Sequence, residues 1–347
     1  MGGFKNRKFK ANRQAASTAH ITRNHHQNAK IRIVAICQIH PIILVIQPWT
    51  PTVFRNNGRQ SDYIYYMDCK SKQVEKVEQY RVREPAVADM FYPADPQLLR
   101  QTIASYLEGV EPAPRQPKAL IAPHAGYVYS GAIAAAAYGA LAPYHDVIKR
   151  VVLLGPSHRV AFHGIAATGN EIYRTPLGDI PLDTKAAYQL TSAFSFVEYL
   201  DAAHESEHSL EVHLPFLQVV IDDFELLPLV VGEADIGEVE AVLEAVWGGR
   251  ETLIVVSSDL SHFYNDSTAN KLDHETSHAI ETLDARSLDT HHACGAYPVR
   301  GLLETARKHH LRAETLALGN SAKVSGDYSR VVGYGSWLFY EPEQTLQ

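Results

Sequence analysis

"VVLLGPSHRV", residues Val151 to Val160, is the stretch on which the fold turns. Five apolar or small residues run without alternation, stop at Gly155-Pro156, and are followed by His158. An unbroken apolar run of strand length predicts a strand covered on both faces. The same grammar occurs twice more. "KALIAPHAGY" (118–127) ends an apolar run at Pro123 and presents His124. "TLIVVSSDLSH" (252–262) ends another and presents Asp259 and His262. Prolines and glycines sharpen these turns, so the histidines they carry are aimed.

Helical patterns separate the strands. "SGAIAAAAYGAL" (130–141) predicts an Ala-rich helix with Ser130 as its cap, and "DTKAAYQLTSAF" (183–194) one capped by Asp183. "EHSLEVHLPFLQVVI" (207–221) places Leu210, His213, Leu214, Leu217 and Ile221 at helical spacing. "DIGEVEAVLEAVW" (235–247) and two stretches near 267–283 and 297–309 read the same way. Further strands are expected at 164–169, 224–232, 312–319 and 329–340, the last two as an antiparallel edge with little room for a helix between them. The expectation is a single α/β domain over 83–347, with a mostly parallel sheet and helices on both faces. Such sheets bind ligands outside the carboxyl ends of their strands, so the three ends are expected to converge.

The 347 residues carry a net charge of −7, which hides an asymmetry. Residues 1–61 hold ten Lys/Arg and no Asp or Glu, leaving the remainder at −17. An acidic body repels phosphates, which argues against nucleic acid as a partner of the main domain. Cys37, Cys69 and Cys294 form no disulfide framework, and a reducing, cytoplasmic setting is expected. Within "IRIVAICQIHPIILVIQPW" (31–49), Gln38, His40 and Pro41 leave apolar pieces too short to span a bilayer. No membrane association is expected, and residues 1–82 read as a poorly ordered N-terminal extension.

Neutral imidazole suits iron, copper and zinc, and two histidines with one anionic donor follow the logic of catalytic metal sites. The anionic candidates are Asp259 and Cys294. Cys294 lies in "HHACGAYPV", ahead of a helix that Pro298 could start, where a thiol has a lowered pKa. "HESEHSLEVH" (204–213) is a second polar cluster, with His208 and Glu211 three residues apart on one helical face. It reads either as an acidic first turn of a helix or as a group binding near a cofactor and orienting His158 or His124.

Eight stretches in order carry a resemblance to a known family. They are "REPAVADMFYP", "PKALIAPHAGYVYSG", "RVVLLGPSHRV", "YRTPLG", "EHSLEVHLPFLQ", "ETLIVVSSDLSHF", "ACGAYPVRGLL" and "SRVVGYGSWLF". From about Arg83 to Tyr340 the chain resembles the Memo family, whose prokaryotic members are named AmmeMemoRadiSam system protein B. Asp89 stands where bacterial members usually carry Gly. The family is similar in fold to class III extradiol dioxygenases, which hold Fe(II) with two histidines and a carboxylate. The resemblance implies His124 and His158 as metal ligands, Cys294 as the third, and His262 as the acid/base residue. It also implies a radical-SAM partner protein in prokaryotes, and receptor-tyrosine-kinase signalling and cell motility for animal members.

Three functions are therefore expected of different classes. The first is an iron- or copper-dependent redox protein in which His262 and Asp259 handle protons. The second is a non-catalytic binding or signalling module that takes a small molecule or peptide in a dioxygenase-like pocket. The third is a hydrolase with Cys294 as nucleophile and His262 as base.

Overall fold

The computed structural model describes residues 80–342. Before them it describes the strand segments β1 (Ile31–Ala35), β2 (Ile42–Pro48), β3 (Tyr63–Met67) and β4 (Val74–Glu78), which pair antiparallel in that order. The chain divides into two compact units, residues 1–80 and 81–347. The rest of the expected N-terminal extension, and its order, lie outside the described residues.

The second unit opens with β5 (Val82–Arg83), α1 (Pro96–Leu107), β6 (Ala119–Ala122), α2 (Tyr127–Gly139), β7 (Arg150–Pro156) and β8 (Ile165–Ala167). There follow β9 (Ile172–Thr175), β10 (Gly178–Pro181), α3 (Thr184–Ala193), β11 (Val197–Tyr199), α4 (Asp201–Glu205), α5 (Leu214–Val220) and β12 (Glu225–Val231). It closes with α6 (Ile236–Val246), β13 (Thr252–Ser257), β14 (His262–Tyr264), α7 (Asp266–Glu281), α8 (Ala296–Lys308), β15 (Arg312–Asn320), α9 (Ala322–Ser325) and β16 (Val331–Tyr340).

The main sheet has the order β11-β8-β12-β7-β13-β6-β16-β14, with β15 also paired to β16. Strands β12, β7, β13 and β6 are parallel. The edge formed by β16, β15 and β14 is antiparallel, as the closing sequence predicts. Register decides the site. Ser257 pairs with Ala122, and Val256 with Leu154. Because the strands run the same way and end level, the residues just past them, 124, 158 and 259, emerge on one side of the sheet.

Continuous apolar strands bury both faces, and alternate residues serve different cores. Leu120, Leu153 and Val255 pack towards α1, α2 and α5. Ile121, Leu154 and Val256 pack towards α3, α6 and α8. Each such side chain, fully withdrawn from water, contributes roughly 1.5–3 kcal/mol.

Caps fix several helices: Asp95 accepts from Leu98 N, Asp183 from Ala186 N, and Asn265 from Thr268 N. Asp235 and Glu238 form a reciprocal capping box on α6.

Four expectations need correction. Helix α2 begins at Tyr127, not at Ser130, whose hydroxyl instead donates to Ala125 O. The reason lies upstream: Tyr127 N donates to Phe91 O, which ties the first turn of α2 to the 87–92 loop. The stretch 207–221 is not one helix but a 3-10 turn at Glu211–His213 followed by α5. Pro215 has no N–H for Glu211 O, so an α-helical bond is missing at that point. Helix α8 starts at Ala296 after Gly295, placing Pro298 at its third residue. The link between β15 and β16 holds the single turn α9, which Gly326 ends at φ 71°.

Asp89 has φ 62°, a left-handed conformation natural to glycine and tolerated by Asp. Its carboxylate accepts from Ala94 N at 2.8 Å, which anchors the turn locally.

Candidate metal centre

His124 follows β6, and its ring is buried. Its backbone N donates to Asp259 Oδ1 at 2.8 Å, and its Nδ1 lies 2.6 Å from Ser257 Oγ. Burial, and then the nearby imidazoles of His158, His208 and His213, push His124 well below the usual histidine range. It is therefore neutral, the form that ligates metals.

His158 follows β7 and is held by Glu207. Its backbone N donates to Glu207 Oε2 at 2.6 Å, and its Nδ1 sits 2.9 Å from Glu207 Oε1. The same Oε1 accepts from His208 N and Ser209 N, each at 2.9 Å. Burial opposes ionisation of Glu207, but the bonds from His158 and His208 outweigh it and hold the carboxyl well below the usual carboxylate range. An ionised carboxylate only accepts, so His158 Nδ1 carries a hydrogen; in the neutral ring that leaves the lone pair on Nε2.

His208 completes the group. The His124, His158 and His208 rings each offer a nitrogen within 4.8 Å of the others. Ring centroids lie 5.1 Å apart for His124–His158, 5.4 Å for His124–His208 and 4.7 Å for His158–His208. His208 Nδ1 stands 3.2 Å from Glu207 Oε1 but misaligned, and is a buried nitrogen without a hydrogen-bond partner among the described residues. Phe91 packs on the His208 ring at 4.8 Å, so the loop after Asp89, remote in sequence from the histidine motifs, touches the site.

Cys294 Sγ lies 3.4 Å from His124 Nε2 and accepts from Asp259 N at 3.3 Å. Burial, then the Asp259 charge, push its thiol up rather than down. Its place just before α8 does not lower it, because desolvation outweighs the helix end. An unmetallated Cys294 is a neutral thiol, which is the opposite of an activated hydrolase nucleophile. Asp259 is buried beside it, and burial raises its carboxyl as well. His262, at the start of β14, donates Nδ1–H to Leu260 O at 2.7 Å, leaving Nε2 as an acceptor.

Glu211 faces elsewhere. It pairs with Arg83, accepts from Tyr92 OH, and takes the backbone N–H of Ala86 and Val87 at 2.8 and 3.0 Å. The orienting role expected of Glu211 falls to Glu207, four residues earlier. Two further groups, Ser257 and His213, belong to the site beyond the sequence expectation. Glu207 had a signal in its place beside His208. Ser257 had one in closing a strand whose next residues carry Asp259. His213 had none, since at helical spacing it reads as one member of an apolar stripe.

The donor set suits a metal ion: three imidazoles, one of them with an orphaned nitrogen, and a soft sulfur at the margin. The assembly is thus an α/β protein with a histidine cluster at the level ends of parallel strands. A family model described as Memo-like protein matches residues 83–338, and the chain belongs to the Memo family. It is 36% identical over 269 residues to a MEMO1 family protein of Methanosarcina barkeri, covering 74% of this chain and 98% of that protein. A MEMO1 family protein of Aquifex aeolicus is 34% identical over 271 residues, covering 75% of this chain and 99% of its own length. One from Sulfolobus acidocaldarius is 32% identical over 287 residues, with 74% and 99% covered. Among the described residues no helix is long and apolar enough to cross a membrane.

Proposed function

We propose that the protein binds a redox-active metal, iron or copper, through His124 and His158, with the third donor drawn from His208 or Cys294. The observation that carries this reading is the trio of ring nitrogens within 4.8 Å, in imidazoles two of which are tied through Nδ1. When bound, the ion supplies one-electron chemistry, and a thiolate donor would favour copper or iron over magnesium or calcium. The chain's own groups manage protons. Asp259, whose carboxyl burial raises, stands beside His124 as a group that can exchange a proton, and His262 offers Nε2 as a base.

The experiment is metal analysis of protein purified without oxygen, with electron paramagnetic resonance on the same sample. One equivalent of iron or copper is expected, and His124→Ala should lose it. Comparing His208→Ala with Cys294→Ser then identifies the third donor. Metal only at trace level in the native protein, or retained fully in His124→Ala, overturns the reading.

A second reading, a binding module for a small molecule or peptide, draws on Phe263. This residue is 60% exposed beside His262, has φ 67°, and carries the Arg330 guanidinium 4.3 Å above its ring. An exposed aromatic held in the left-handed region is strained, and such strain is kept where it has a use. Phe263→Ala with metal content intact and lost binding of a candidate ligand would favour this reading. The radical-SAM partner suggested by the family resemblance would be one candidate.

A further inference from the structure

Ser257 meets three partners through one oxygen. Its Oγ is 2.6 Å from Ser209 O, 2.6 Å from His124 Nδ1 and 2.8 Å from His213 Nε2. A carbonyl oxygen can only accept, so the single hydroxyl hydrogen goes to Ser209 O. Both imidazoles must then donate to Ser257. His124 is fixed as the Nδ1–H form, and its Nε2 lone pair faces away from Ser257, on the side where Cys294 Sγ lies. His213 is fixed as the Nε2–H form, and its Nδ1 accepts from Tyr138 OH at 2.7 Å.

We infer that Ser257, backed by His213 and Tyr138, is the positioning group that sets the tautomer and ring orientation of His124. All four side chains are buried, so water does not compete for these bonds. Burial also pushes His213 down to about 3, so it stays neutral and keeps its part in the network. The register supplies the placement: Ser257 is the last residue of β13, opposite Ala122 and two residues short of the level of His124. On β13 it follows Leu253 and Val255, the residues that face α1, α2 and α5, where His213 lies at the entry to α5.

The network is a brace and not a proton wire. Two hydrogens point into Ser257 Oγ, and the third leaves towards a carbonyl that has nowhere to pass it. The inference rests on the metal reading only for its consequence, since the tautomer exists without metal. A ligand imidazole held by its second nitrogen loses entropy once, in folding, and presents a fixed lone pair; removing such a partner typically weakens metal affinity about 10- to 100-fold.

The test uses the full chain labelled with 15N at histidine, free of metal. Two-bond 1H–15N correlation spectra report each ring's tautomer. His124 is expected as Nδ1–H and His213 as Nε2–H in the native protein. Ser257→Ala should mix the His124 tautomers and weaken Co(II) binding, followed by its visible absorption, about 10- to 100-fold. Ser257→Thr, which restores a hydroxyl, should recover both readouts. His124 found as Nε2–H in the native protein overturns the inference, and that result needs no variant to fold. An unchanged His124 tautomer in a folded Ser257→Ala protein overturns it equally. A shifted tautomer with no Co(II) bound by any variant, native included, supports the brace and overturns the metal reading alone.

Discussion

Glutamine at position 207 would keep the shape of Glu207 and change only which atoms donate. The native carboxylate takes four N–H groups, two of them from His158. A glutamine can turn its oxygen to some of them but must set an NH2 against the rest. Glu207→Gln is expected to weaken metal binding about 10- to 100-fold and to cost about 1–3 kcal/mol of stability, read by Co(II) titration and thermal melting. Full retention of both would mean that His158 is held by something else. The pH dependence has a definite sign. A depressed carboxyl contributes its stability above its unfolded value and loses it only as pH falls towards the folded one. Asp273 behaves in the opposite way. Burial pushes it up to about 6, while in the unfolded chain it titrates near about 3.9. Its contribution is therefore complete below about pH 4 and is lost as pH rises through about 6. Asp273→Asn keeps an acceptor for Ser261 N and never ionises. It should melt higher than the native protein at about pH 7.5 and the same at about pH 3. A lower melting temperature at the higher pH would contradict this.

At the scale of elements, the strands of the centre were readable because nothing interrupts them. β7 and β13 differ from the sequence expectation only at their last residues, and Asp183 caps α3 as its position predicts. What was not readable was set by neighbours. The hairpin β9–β10 is short and mixed in polarity, and its pairing with β5 involves residues ninety positions away. Helix α1, capped by Asp95, leaves little trace in the sequence, since its surface residues are polar and its apolar stripe is thin. β14 holds three residues and depends on β16 for its existence. The turn into α8 is decided by one atom that the chain lacks. A Cβ on Gly295 would lie 2.5 Å from Ser257 O and 2.7 Å from Ser258 Cβ. The first of these is backbone of β13 and cannot yield cheaply. Gly295→Ala should therefore cost about 1–3 kcal/mol and move Cys294 away from His124. Thermal melting together with the accessibility of Cys294 to a thiol reagent measures both effects. A melting temperature equal to the native value would show that α8 can back away from the strand.

At the scale of the whole molecule, the family match spans 83–338 and leaves residues 1–80 outside it. We expect residues 81–347, expressed alone, to unfold cooperatively and to bind Co(II) as the full chain does; loss of either would assign the first unit a role in the site. The candidate site was half legible. His124, His158 and Asp259 were readable because each follows an obvious strand. Of the supports, Glu207 and Ser257 left only a positional trace and His213 none, because all three act through contacts that only the packed sheet creates. Strand order has one more consequence. β13 lies between β6 and β7, yet it is made after both, with α3 and α6 intervening. A chain emerging from the ribosome carries His124 and His158 long before the strand that must wedge between their supports. Until then the two ends have no fixed spacing, and Ser209 has no hydroxyl to receive. The cluster can assemble only once β13 has emerged, so a chain still lacking that strand could not yet hold an ion there.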